Sequence, residues 1–206
     1  RREEHPHLKQ WSLPGGFVQM EESLDEAAAR TLREKTGVEG IFLEQLYTFG
    51  RPNRDPRTRV ITVAYYALVD AAALTGPEAL KHGATLAALQ VPWNGELGGP
   101  VQATDEHNNQ LPIAFDHDEI LGLVVKRLRG KLNYAPLGFE LLPSEFTLRQ
   151  LQTIHETILD RRLNKDSFRR RMIASGLIDA TGTREANVGH RPAELYRFLR
   201  PEAGQG

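Results

Sequence analysis

Apolar positions along this chain change period several times, and each change predicts an element. The run VITVAYYALV at residues 60–69 is β-branched and aromatic, which predicts a strand. Residues 41–49 alternate less cleanly and are expected to pair with it as a hairpin around a loop at 51–59 rich in Pro, Asn, Asp and Arg. Upstream, Leu13-Pro14-Gly15-Gly16 predicts a tight turn. Ser23 and Glu26 then stand at capping-box spacing before an alanine-rich helix that Gly37 should end. Residues 95–110 are polar and contain Gly98-Gly99-Pro100 and Asn108-Asn109, so they read as a long surface loop beside one strand near 89–93. From Asp116 the period is helical. Asp116 and Glu119 have capping-box spacing, Ile120, Leu121, Val124, Val125 and Leu128 share a face, and Gly130 is a natural stop.

Residues 133–138, NYAPLG, read as a linker, placing a domain boundary near 135. Beyond it, Thr147 and Gln150 form a second capping-box pair. Leu148, Leu151, Ile154, Ile158 and Leu159 form the buried stripe of a helix ending near Asp160. A turn at 161–164 leads to a second helix at 165–175 that buries Phe168 and Met172, shows Lys165, Arg169 and Arg170 with Arg171 alongside, and stops at Gly176. Leu177-Ile178 and Leu195-Tyr196-Arg197-Phe198 are short strands around a polar loop carrying Arg184, His190 and Arg191. Two helices followed by a basic hairpin is the plan of a winged helix-turn-helix, whose second helix enters the major groove. His155 and His190 read as surface or hydrogen-bonded side chains without partners at ligand spacing, so no metal site is expected. Trp11 reads as core.

Composition sharpens this division. The chain has 206 residues, 40% hydrophobic, enough for one large domain or two small ones. It has no cysteine, which excludes disulfides and thiolate metal sites, and no apolar run approaches membrane-spanning length. A cytoplasmic protein without membrane attachment is the expectation. Its opening Arg1-Arg2 shows no signal-peptide pattern, and upstream residues are expected to precede it. The formal net charge of -1 conceals an asymmetry. Residues 1–125 carry 11 Lys+Arg against 18 Asp+Glu, net -7, while residues 126–206 carry 15 against 9, net +6. A basic second half suits approach to phosphates, where counterion release drives binding; a solvated charged surface is the alternative.

The helix at 23–36 holds the most specific chemistry. Arg30, Thr31, Glu34 and Lys35 project near one another because residues three and four apart share a face. Gly16, Glu22, Arg30, Leu32, Glu34, Gly37 and Val38 keep the spacing of the Nudix box, which this segment resembles. Thr31 and Lys35 stand where that box carries glutamates. In Nudix hydrolases the clustered glutamates hold divalent cations against a pyrophosphate. Threonine supplies no anionic oxygen and lysine brings a cation, so binding without cleavage is expected, with no catalytic residue and no required cofactor. Slow hydrolysis through Glu22, Glu34 and a carboxylate elsewhere is the alternative. Arg51, Arg54, Arg57 and Arg59 crowd the 51–59 loop, and guanidinium groups suit phosphate recognition and base stacking; a solvated hairpin tip is the competing reading.

The chain as a whole resembles the Nudix-related transcriptional regulators of NAD metabolism, the NrtR family. The resemblance rests on Leu13-Pro14-Gly15-Gly16-Phe17-Val18, Glu34-Lys35-Thr36-Gly37, Arg54-Asp55-Pro56-Arg57, Ala114-Phe115-Asp116-His117, Phe146-Thr147-Leu148, Phe168-Arg169-Arg170 and Arg191-Pro192-Ala193 with Leu195-Tyr196. It implies an α+β protein. A Nudix-like α/β/α sandwich with a mixed sheet spans 1–135, and a winged helix-turn-helix DNA-binding domain spans 136–206. The strand that usually precedes the Trp11 segment in a Nudix fold is missing from this chain. The resemblance also implies a homodimeric repressor of NAD biosynthesis or salvage genes, bound to double-stranded operator DNA and responsive to ADP-ribose or a related NAD-derived nucleotide. Glu34, Lys35, Arg54 and Arg57 become ligand-binding candidates; Lys165, Arg169, Arg170 and Arg191 become DNA-binding candidates. An active hydrolase of ADP-ribose-like substrates and a sugar-responsive regulator of the same architecture are the rival readings.

Overall fold

A computed structural model of the chain describes residues 1–70, 83–132, 134–186, 189 and 191–199; His190 lies outside them. The chain divides into two compact units, Arg1–Arg127 and Leu128–Gly206. Among the described residues no helix is long and apolar enough to cross a membrane.

In the first unit, helix α1 (Leu24–Thr36) starts and stops as its ends dictate. Ser23 accepts from the Glu26 amide while the Glu26 carboxylate accepts from the Ser23 amide, and Gly37 closes the helix in the left-handed region at φ 72°. Strand β1 (Glu44–Phe49) pairs antiparallel with β2 (Thr62–Tyr66), with a register shift between Gln45 and Tyr47. The second strand is shorter than the expected 60–69, because Tyr66 faces Glu44 and β1 has no residue beyond it to pair with. Strand β3 (Ala88–Gln90) pairs antiparallel with β4 (Gln102–Thr104), and Trp11 bridges Ile113 in the parallel sense, so strand pairing is mixed.

Strand β4 corrects the expectation of an uninterrupted loop at 95–110. Val101, Ala103 and Thr104 are buried there. The following turn is held by the Asp105 carboxylate, which accepts from the His107 and Asn109 amides at 2.9 and 2.8 Å. Three strand residues beside such a polar turn are too few to show a period.

Helix α2 (His117–Lys131) contributes Ile120 to the core formed with Leu46 and Ala64, against which Leu13, Phe49, Tyr66, Leu123 and Val124 pack. The capping box expected from Asp116 and Glu119 does not form: both oxygens of Asp116 are taken by Arg54, and the Glu119 amide donates instead to Asp118. The helix also runs one residue past Gly130. Gly122 is required within it, since a Cβ there would collide with the Gly99 carbonyl oxygen, which also accepts from the Trp93 indole at 3.2 Å.

The second unit is a winged helix. A 3-10 turn (Phe139–Leu141) precedes β5 (Phe146–Thr147), α3 (Leu148–Leu159), α4 (Lys165–Ala174), β6 (Ile178–Arg184) and β7 (Glu194–Phe198), with β7 central in the order β5-β7-β6. Thr147 and Gln150 form the expected reciprocal cap. Phe139, Phe146, Leu151, Phe168, Met172, Ile178 and Tyr196 make the core, with Phe139 stacked on Phe198 at 4.2 Å. The end of the stretch read as a linker, at Leu137 and Gly138, packs into this unit. Leu137 is buried, and Gly138 sits at φ 88° where a Cβ would come within 2.8 Å of the Ile154 side chain. Local composition signalled a flexible joint, but the glycine serves a close approach.

Candidate functional site

The glycine loop before α1 is organised by Arg30. Its Nε and Nη2 donate to the two oxygens of Glu22 at 2.8 and 2.5 Å, Nη2 also donates to the Phe17 carbonyl at 2.9 Å, and Nη1 reaches Glu34 at 3.2 Å. The Gln19 amide adds a further bond to Glu22 at 2.7 Å. Hydrogen bonding from Arg30, and then from Gln19, holds the Glu22 carboxyl down at about 2. Thr31 is buried, and a Cβ on Gly16 would lie 2.9 Å from its hydroxyl, so the threonine closes directly against the glycine loop. Lys35 is exposed one turn further on. These residues do not fit a divalent cation: Glu22 is saturated by arginine, Glu34 stands half-exposed beside the same guanidinium, and Lys35 adds a positive charge. Among the described residues, no group of three acidic or histidine side chains is placed to hold a metal ion.

Each arginine of the 51–59 loop is engaged. Arg54 grips Asp116 through two bonds of 2.9 and 2.7 Å and donates to the Thr62 hydroxyl at 2.5 Å, with only 5% of its side chain exposed. Arg57 pairs with Asp55 at 2.8 Å and stays half-exposed; the Arg57 guanidinium, acting first through its hydrogen bond, lowers the Asp55 carboxyl to about 2. Arg51 pairs with Glu119, and Arg59 donates to the Gly50 carbonyl. The guanidinium carbons of Arg2 and Arg57 lie 4.8 and 5.7 Å from the centroid of the Phe115 ring. Beside it, His117 Nδ1 accepts from the Leu13 amide at 3.0 Å, and burial lowers its pKa.

Of the four ligand candidates, Arg54 and Arg57 therefore meet at the 114–117 segment, while Glu34 and Lys35 sit on the exposed side of α1. No hydrogen bond or ion pair joins the two pairs. A surface cavity of about 420 Å³ opens beside Trp11 and Asn109, and none of the four candidates lines it. Asp116 and Phe115 were missed as site residues, because nothing local to them marks partners some 60 positions away, and Thr62, eight residues from Arg54, reads only as a strand position.

In the winged helix, the turn between helices is fixed by buried polar groups. Glu156 accepts from the Leu163 amide at 2.8 Å and from Gln152 at 3.0 Å, and Gln152 donates to the Leu163 carbonyl at 3.0 Å. Arg149 and Arg162 each lie 3.4 Å from Glu156, whose pKa is lowered, the Leu163 amide contributing most. Gln152 and Glu156 thereby set the angle at which α4 leaves the turn. Neither position stood out in the sequence, where the Thr147–Gln150 capping pair and the apolar stripe marked the helix. Lys165, Arg169, Arg170 and Arg171 are exposed along α4, and Arg191 is exposed ahead of β7. Arg169 lies 3.6 Å from Glu194 on β7, whereas Arg170 has no carboxylate partner among the described residues.

His155 is not the surface residue expected. It is buried, its Nδ1 has no hydrogen-bond partner among the described residues, and its ring meets Phe168 edge-on at 5.1 Å. Burial first, and the nearby Arg171 charge second, lower its pKa from 6.5 to about 4. The folded state therefore holds it neutral while the unfolded chain binds a proton more readily. Its contribution is fully present above about 6.5 and is lost as pH falls toward 4. Urea denaturation at pH 7 and 4.5 should show an acid loss of stability that is smaller in His155→Leu; equal losses in both proteins would remove this histidine as the cause.

Comparisons with known proteins cover both units. A Nudix domain model matches residues 1–95, and the NrtR DNA-binding winged helix domain model matches residues 138–198. The chain is 38% identical over 200 residues, 96% of its length and 73% of the relative's, to the ADPR responsive transcriptional repressor NtrR of Acinetobacter baylyi. It superimposes on Shewanella oneidensis NrtR complexed with a 27mer DNA with a TM-score of 0.72 at 33% identity, covering 96% of this chain and 84% of that one. A MutT/nudix family protein from Enterococcus faecalis follows at TM-score 0.67 and 25% identity, covering 97% and 78%. With a Nudix domain and an NrtR winged helix matched in order along one polypeptide, this chain belongs to the NrtR family.

Proposed function

We propose that this protein is a dimeric, non-enzymatic transcriptional repressor of NAD biosynthesis or salvage genes. In this reading ADP-ribose or a related nucleotide binds residues 1–135, and residues 136–206 bind operator DNA in the cytoplasm. The observation that carries it is the state of the Nudix helix. Arg30 neutralises Glu22, Thr31 and Lys35 replace carboxylates, and the same chain presents an exposed cationic helix α4. The A. baylyi relative's description as ADPR responsive supports the choice of effector. Lys35 and Arg57 would offer exposed cations to the pyrophosphate, Glu34 would face the ligand's hydroxyls, and Arg54 would hold the loop in place through Asp116. Lys165, Arg169, Arg170 and Arg191 would contact DNA.

A ligand alters DNA affinity only by favouring one arrangement of the recognition helices over another. Two half-sites on one face of DNA require those helices about 34–36 Å apart, so a small rotation within a dimer is enough. The test is a gel-shift with promoter DNA of an NAD-biosynthesis operon, with and without ADP-ribose, beside an assay for magnesium-dependent turnover of ADP-ribose. A shift that ADP-ribose changes, with negligible turnover, is expected. Rapid AMP release without duplex affinity would reject the proposal in favour of a hydrolase. Arg170→Ala should weaken binding to all duplexes and flatten the salt dependence by about one unit of slope; unchanged affinity across salt concentrations would remove Arg170 from the interface.

A further inference from the structure

Among the described residues, Arg169 is the one cation of helix α4 paired with a carboxylate of the wing. Its Nη2 lies 3.6 Å from Oε2 of Glu194 at the start of β7, and the same oxygen accepts from the Tyr196 hydroxyl at 2.6 Å. Tyr196 is 4% exposed and belongs to the core, so the phenol is an immobile anchor. Glu194 thus stands between a fixed group below and a flexible arginine above. Hydrogen bonding from Tyr196, and then the Arg169 charge, lowers its pKa.

We propose that Glu194, held by Tyr196, positions Arg169 to read the major-groove edge of a guanine. This rests on the DNA-binding reading above. A lone arginine on a helix surface samples many rotamers and binds the nearest phosphate as readily as a base. Holding one terminal nitrogen with a carboxylate orients the guanidinium plane and leaves its other edge, half-exposed here, open to the paired acceptors O6 and N7. Arg170, the next residue, has no such tether among the described residues and is suited to non-directional phosphate contact. A carboxylate at a DNA surface otherwise opposes binding, so its presence beside α4 is accounted for by direction rather than attraction.

The experiment selects the preferred sequence from a randomised duplex pool with the full wild-type chain. Affinities of variants are then measured for that duplex, for versions with each guanine replaced, and for an unrelated duplex. Glu194→Ala should lose about tenfold of the discrimination at one G·C pair, the scale of a single bidentate contact, while binding the unrelated duplex as well as wild type or better. Arg169→Lys should lose the same discrimination, and the double variant no more than either. Tyr196→Phe, which keeps the buried ring and removes only the hydroxyl, should lose part of it with the winged helix still folded by circular dichroism. Discrimination intact in Glu194→Ala, or affinity raised equally for every duplex, would overturn the proposal by making Glu194 a mere repulsive charge. Loss of affinity for all duplexes together with a lowered melting temperature would overturn it by making the role structural. A wild-type chain that enriches no sequence from the pool refutes the DNA-binding reading itself.

Discussion

Arg54→Ala is expected to destabilise the N-terminal unit by about 3–5 kcal/mol, the scale for removing one partner of a buried ion pair. Arg54 and Asp116 are 5% and 10% exposed, and the guanidinium also satisfies the Thr62 hydroxyl. Truncating it leaves a carboxylate with neither solvent nor countercharge, and the 51–59 loop loses its tie to the start of α2. A residue that only contacted the effector would weaken ADP-ribose binding and leave stability unchanged. Urea denaturation followed by circular dichroism separates the two roles, and an unchanged midpoint would return Arg54 to the ligand alone. Arg54→Ala with Asp116→Ala should recover part of the loss, because the stranded charge is then gone.

Phe146→Ala should be comparably damaging to the other unit, at about 3–5 kcal/mol for a fully buried aromatic reduced to a methyl. Phe146 is 1% exposed, pairs with Tyr196 across β5 and β7, and lies 5.8 Å from Phe139. The cavity would open beneath the strand that carries Glu194 and Tyr196, so DNA binding should disappear. The N-terminal core of Leu46, Ala64 and Ile120 shares no residue with this one. Calorimetric titration with ADP-ribose should therefore give wild-type affinity in the variant whose gel-shift is lost. Joint loss of both activities would show that the two cores do not fold as separate units.

Three pairs at capping-box spacing are read as helix starts, and comparing them shows where local reading works. Ser23 with Glu26 and Thr147 with Gln150 form the reciprocal bonds, since each side chain's best partner lies within one helical turn. Asp116 with Glu119 does not, because Arg54, 62 residues away, offers Asp116 a bidentate charge-assisted pair and Arg51 engages Glu119. The helix on which the DNA reading rests was legible for the same local reason: Phe168 and Met172 bury one side, and the charges between them are left outside. His155 and Glu156 were not legible. They lie within an apolar stripe, and only the packing of α4 and the turn at Leu163 makes one a desolvated imidazole and the other a hydrogen-bond hub.

Chain order alone therefore determined the capped starts of α1 and α3, the hairpin and the separation of an acidic from a basic half, all of which depend on neighbours within a few residues or on bulk charge. Tertiary structure decided which carboxylate neutralises which arginine, that Leu137 and Gly138 pack rather than link, that a strand interrupts the loop at 95–110, and that Glu194 reaches Arg169. Ion pairs and close approaches carry no periodicity. Their partners are chosen by the three-dimensional path that burial of the apolar faces imposes, and that choice becomes visible only once the path is known.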